Sequence, residues 1–123
     1  MPLFHHVNLG VPPDAVDDET AFLVQVLGFR PVKVDPALGA IGARWYEGED
    51  GAQIHLSADP DHRPAAMAHV AVEYGPDLVG VEGRLKTAGV DFDRAERAGF
   101  PPILLCRDPA GNRWELRGES PLG

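Results

Sequence analysis

The stretch His6-Val7-Asn8-Leu9-Gly10-Val11 returns in mid-chain as His69-Val70-Ala71-Val72-Glu73-Tyr74. Both are short runs of the kind that form half-buried β-strands, and both open on a histidine. The segments after the two runs repeat as well. After the first comes a helical stretch from about Ala15 to Leu27, with Phe22, Leu23, Val26 and Leu27 on one apolar face. Asp14 is its expected N-cap and Gly28 its stop. FRPVKVD (29–35), IGARWYEG (41–48) and AQIHLSA (52–58) then read as three strands separated by turn residues. After the second run, Pro76 and Asp77 open another helix in which Leu78, Val81, Leu85 and Ala88 share a face, and Gly89 ends it. VDFDRAE (90–96), PPILLCRD (101–108) and NRWELRG (112–118) supply three more strands. The order β-α-β-β-β therefore occurs twice.

Two further anchors align the halves at nearly constant spacing. Leu27-Gly28-Phe29 corresponds to Ala88-Gly89-Val90, and Gly51-Ala52-Gln53-Ile54-His55-Leu56 to Gly111-Asn112-Arg113-Trp114-Glu115-Leu116. The expectation is an α+β fold in which two modules form one domain over residues 1–123. Module 1 covers about 1–59 and module 2 about 65–123, with a hinge around Pro60 to Pro64.

The repeat separates the adjacent histidines at the start of the chain. Neighbouring strand residues point to opposite faces, so His5 and His6 are not expected to enter one pocket. His6 has an equivalent in the second half, and that equivalent, His69, is again a histidine; His5 is assigned to the opposite face. The last anchor pairs His55 with Glu115. If a pseudo-twofold axis relates the halves, His6, His55, His69 and Glu115 can converge. Taken singly, each is more often an ordinary packed or solvated residue. Taken together on otherwise apolar strands, they need something to satisfy them, because burying unpartnered polar groups costs several kcal/mol. Imidazole and carboxylate suit Zn, Ni, Co, Mn or Fe as divalent ions, with positions left open for water and substrate. Glu115 or His55 is the candidate catalytic base.

Composition removes other classes. Lys and Arg number 11 against 19 Asp and Glu, a formal net charge of −8, which disfavours nucleic acid and anionic membranes as partners. The single cysteine, Cys106, excludes an intramolecular disulfide and a thiolate zinc cluster. It lies in the apolar run Ile103 to Cys106 and reads as a small buried hydrophobe. No signal peptide or membrane span is expected, and the expected compartment is cytoplasmic. Phosphate-cradling loops, dinucleotide fingerprints and nucleophile elbows are absent from the sequence.

HVNLGV, the helix end VLGF, HVAVEY and DPAGNRWELRG make the chain resemble the vicinal oxygen chelate, or glyoxalase/bleomycin resistance/dioxygenase, superfamily over essentially its whole length. The resemblance implies two βαβββ modules in an eight-stranded, cup-shaped mixed sheet with flanking helices. It implies metal ligands on the first and fourth strands of each module, which by position are His6, His55, His69 and Glu115. It also implies a homodimer and a small-molecule substrate coordinated through oxygen. The leading expectation is a metal-dependent, glyoxalase-like lyase or isomerase. One alternative is an extradiol dioxygenase with iron on His6, His69 and Glu115, leaving His55 as an extra ligand or acid/base. The other is a non-catalytic ligand- or drug-binding protein. Where many glyoxalase I enzymes carry glutamate, this chain has His55.

Strand alternation makes further assignments. Of Trp45 and Tyr46 one faces the site and one the helices; Trp114 faces the core, away from Glu115; Asn8 shares the face of His6. Arg44 and Arg117 are possible anion contacts. Asp59, Asp61 and His62 read as a solvated linker. The glycine-rich loops around 39–51 and the stretch 93–102 are candidate lids.

Overall fold

The computed structural model describes residues 1–119 and divides between Arg63 and Pro64 into two compact units. The first unit contains β1 (His6–Val11), α1 (Val16–Ala21), β2 (Arg30–Val32), α2 (Pro36–Ala40), β3 (Arg44–Glu47) and β4 (Gln53–Ala58). Its four strands lie in the order β1-β4-β3-β2, with β1 parallel to β4 and the remaining pairs antiparallel. The second unit contains β5 (His69–Gly75), α3 (Leu78–Thr87), β6 (Phe92–Ala95), β7 (Ile103–Arg107) and β8 (Arg113–Gly118). Its order is β5-β8-β7-β6, with the same parallel and antiparallel relations. The duplication read from the sequence is thus a duplication of topology: each unit is a βαβββ module.

In each unit one sheet face is buried by a helix. Val11, Tyr46, Ile54 and Leu56 turn to the same side in the first unit, and Phe22, Leu23, Val26 and Leu27 are buried with them. The Thr20 hydroxyl donates to the Val16 carbonyl at 2.9 Å, so in its 2.6 Å contact with Tyr46 it is the phenol that donates. In the second unit Leu104, Cys106, Trp114 and Leu116 meet Leu78, Val81 and Leu85 of α3. The Trp114 indole N–H donates to Asp108 Oδ2 at 2.9 Å, and Asp108 Oδ1 accepts the Asn112 amide at 2.8 Å. Each large apolar side chain removed from water contributes about 1.5–3 kcal/mol, so these layers carry much of the stability.

The first helix differs from expectation. Pro13 starts a separate 3-10 turn, Pro13–Ala15, closed by the Ala15 amide on the Pro12 carbonyl at 2.9 Å. Asp14 sits inside that turn, and α1 begins without a side-chain cap, so Asp14 is not the N-cap. Beyond Ala21 the helix widens into a π-helical segment, Phe22–Val26, closed by the Leu27 amide on the Phe22 carbonyl at 3.0 Å. It stops as expected at Gly28, whose φ of +86° is open to glycine at little cost. A second difference is α2. Asp35-Pro36, read as a turn, is a helix start: Asp35 Oδ1 accepts the Ala37 amide at 2.9 Å and proline occupies the first turn. Arg44, a possible anion contact by sequence, instead donates to the Gly39 carbonyl at 3.0 Å and the Ala43 carbonyl at 2.8 Å. Among the described residues no helix is long and apolar enough to cross a membrane.

Candidate functional site

The face of each sheet turned away from its helix is polar. In the first unit β1 contributes His6 and Asn8, β4 contributes Gln53, His55 and Ser57, and β3 contributes Trp45, because opposed residues share a face. The His55 ring lies between two others. Its centroid is 3.9 Å from that of His6, with planes 14° apart, and 4.5 Å from that of Trp45, with planes 13° apart. The neighbouring Gln53 Oε1 lies 2.8 Å from His55 Nε2, which makes Nε2–H the donor and leaves Nδ1 with a lone pair. Burial and then the adjacent His6 and His5 hold the His55 imidazole below its ordinary pKa, favouring the neutral form that can ligate a cation. Ser57 donates to Asn8 Oδ1 at 2.9 Å.

His5 departs from its assignment. It precedes the first strand residue, so alternation does not govern it, and its Nδ1 lies 2.8 Å from His6 Nδ1. It is therefore a partner of His6, not a residue of the opposite face. His62, read as linker, packs on this unit as well. A Cβ at Gly10 would fall 2.7 Å from His62 Nδ1, so only glycine lets the ring approach the β1 backbone.

In the second unit His69, Ala71 and Glu73 of β5 share a face with Arg113, Glu115 and Arg117 of β8. His69 Nδ1 lies 2.9 Å from the Met67 carbonyl, so Nδ1–H donates and Nε2 keeps its lone pair. This is the tautomer that a backbone carbonyl commonly fixes in metal-binding histidines. Glu115 Oε2 accepts from Arg117 Nη1 at 3.0 Å, and Arg117 Nε reaches Glu73 Oε1 at 3.3 Å. Arg117 is therefore bound within an ion-pair network. Trp114 and Tyr46 face the cores and Trp45 faces the site, as alternation requires.

The register is the same in the two units. His55 stands opposite Asn8, two residues beyond His6, and Glu115 stands opposite Ala71, two residues beyond His69. The structure brings the His6 and His55 rings into contact, and sets His69 and Glu115 on adjacent strands of one face. Among the described residues no group of three or more His, Cys, Asp or Glu side chains gathers to hold a metal by itself. Each unit thus offers two of the four candidates. As donors they suit a divalent ion: a neutral imidazole at His55, an available Nε2 at His69, and a Glu115 carboxylate engaged, among the described residues, at Oε2 alone. Three residues that orient these donors, Gln53, Arg117 and His5, were not singled out for that role from sequence. Gln53 and Arg117 sit two places from a candidate ligand on the same strand, which was the available signal.

The family model of the Glyoxalase/Bleomycin resistance protein/Dioxygenase superfamily matches residues 3–116. No curated protein matches the sequence. Among solved structures, a glyoxalase family protein from Bacillus anthracis is similar with a TM-score of 0.85 and 20% identity, over 98% of this chain and 97% of that one. A glutamate-to-glutamine mutant of the fosfomycin resistance protein FosX from Listeria monocytogenes, in complex with Mn(II) and 1S,2S-dihydroxypropylphosphonic acid, is similar at a TM-score of 0.81 and 17% identity, over 98% and 94% of the two chains. A glyoxalase/dioxygenase from Nostoc punctiforme is similar at 0.79 and 19%, over 95% and 90%. With nearly its whole length matched by the family model, the chain belongs to the glyoxalase/bleomycin resistance protein/dioxygenase superfamily.

Proposed function

We propose that the protein is a divalent-metal-dependent enzyme acting on a small oxygen-bearing substrate, with His6, His55, His69 and Glu115 as the metal ligands. The observation that carries this reading is the common register. In each unit an imidazole opens the first strand, and an imidazole or carboxylate stands on the fourth strand two positions further along the same polar face. The four residues are taken as one ligand set because the internal repeat of the sequence pairs them.

A divalent ion bound there supplies Lewis-acid stabilisation of negative charge developing on a substrate oxygen. The chain's own groups do the rest. The Met67 carbonyl holds the His69 tautomer, and Gln53 and the ring faces of His6 and Trp45 hold the His55 plane. Arg117 holds Glu115 by one oxygen, which leaves the other oxygen to bind the ion or to take a proton from substrate. The reaction class that suits one carboxylate and three imidazoles is a lyase or isomerase step.

FosX, which shares the fold, is known in complex with Mn(II), so Mn(II) is the first ion to supply. The test is to load the full chain with Mn(II), Zn(II), Ni(II) or Fe(II) and assay isomerisation of hemithioacetals beside oxygen uptake with catechols. Metal-dependent isomerisation without oxygen uptake supports the reading. Oxygen uptake with Fe(II) alone would replace it with the dioxygenase, and the absence of any metal binding would replace it with a ligand-binding protein.

A further inference from the structure

The β7·β8 ladder sets Arg107 directly opposite Arg113. Like charges facing one another across a ladder are destabilising, and the fold does not call for them here. The equivalent pair in the first unit is Glu47 opposite Gln53, in the same register. Among the described residues neither guanidinium forms an ion pair, although acids outnumber bases 19 to 11 along the chain. Arg107 donates through Nη1 to the carbonyls of Gly111 at 2.8 Å and Ala65 at 3.2 Å, and its Nη2 makes a longer 3.4 Å contact with Ala66. These contacts fix its plane. Arg113 uses only Nη1, at 3.5 Å from the Ala66 carbonyl and 3.7 Å from Met67 Sδ. Its Nε and Nη2 meet no acceptor among the described residues.

Both guanidiniums line an open cavity of about 660 Å³ within the second unit, together with Leu105, Phe92, Asp91 and Asp93. A third acid of that wall, Asp108, is committed to Trp114 and Asn112 and turns its charge into the core. The cavity therefore has a cationic side, an apolar floor at Leu105, and two exposed carboxylates on the β6 side. Arg113 also stands opposite His69 and two residues from Glu115 on the same sheet face, so the cavity adjoins that face.

We propose that Arg107 and Arg113 form a binding site for the oxyanion end of a small acid, a carboxylate or a phosphoryl group. Arg113 supplies a forked pair of donors and Arg107 a second, fixed charge. Asp91 and Asp93 favour ligands that carry hydroxyl or amine donors at the other end and disfavour extended polyanions. The site does not depend on a metal, so it stands or falls separately from the ligand set of His6, His55, His69 and Glu115.

The test titrates inorganic phosphate and, in a parallel arm, acetate into the full chain freed of metal on a chelating resin, followed by amide chemical shifts. Saturable binding of either anion, with the largest shifts between 103 and 113, is expected. Arg113→Gln installs the residue that the first unit carries at the equivalent position, and it should weaken binding at least about tenfold. Lys33→Gln removes the same charge in the other unit and should leave binding unchanged. Saturation by phosphate alone assigns phosphoryl compounds, and by acetate alone carboxylic acids. Shifts that never saturate, or equal loss in the Arg113→Gln and Lys33→Gln variants, would overturn the proposal.

Discussion

The rings of His6 and His55 stack face to face, with centroids 3.9 Å apart and planes 14° from parallel. Trp45 continues the stack on the far side of His55. A cation drawn to either imidazole must alter the environment of that indole. Metal addition is expected to change the tryptophan fluorescence, and Trp45→Phe to abolish the change. The remaining tryptophan, Trp114, is fully buried on the opposite side of its own sheet. A signal that survives in Trp45→Phe would show that the metal binds away from the stack.

Asp108 holds the second core together through two bonds, one from the Trp114 indole and one from the Asn112 amide. Asp108→Ala leaves the indole N–H of a fully buried side chain without an acceptor, and should cost about 1–3 kcal/mol in urea unfolding. Asp91→Ala, at an exposed position, should change stability by less than about 0.5 kcal/mol. Equal losses would mean that Asp108 acts only through general charge.

Burial pushes the Cys106 thiol up from 9.0 to about 11, with Asp108 adding to the shift. The thiolate is the reactive form, so at pH 8 only about one thiol in a thousand is available to alkylate in the folded chain. Iodoacetamide should label Cys106 in urea and spare it in the native state. The same shift sets a stability slope: a raised folded pKa stabilises fully below 9.0 and is lost as pH rises through about 11. Burial raises the Tyr74 phenol as well, so the two losses fall in the same alkaline range. Urea midpoints should be flat from pH 7 to 9 and fall above that.

The module order was legible in the sequence because alternating strands, apolar helix faces and glycine stops recur in step. Those stops are real: Gly28 and Gly89 have φ of +86° and +70° at corresponding helix ends. The five residues of α2 were not legible, since one turn and a half shows no period, and its Asp35-Pro36 start also spells a turn. Alternation assigns His5 to the opposite face, but His5 lies one residue before the strand begins, where alternation does not hold. The repeat picked out the four candidate ligands, and the strand pairing sets them in matching registers. Of their orienting partners, Arg117 reads from sequence as a possible anion contact and Gln53 carries no signal beyond its place in the strand. The Arg107–Arg113 pair could not be seen at all without strand register, because a turn separates the two residues along the chain.

The most direct measurement is the stoichiometry and affinity of Mn(II) in the full chain, by calorimetry with elemental analysis, for wild type, His6→Ala, Glu115→Ala and His5→Ala. One ion per chain is expected, with losses of at least about tenfold for His6→Ala and Glu115→Ala. His5→Ala, which removes only a hydrogen-bond partner of His6, should cause a smaller loss. Wild-type affinity in both His6→Ala and Glu115→Ala, or no saturable binding in any of the four proteins, would contradict the assignment of the site.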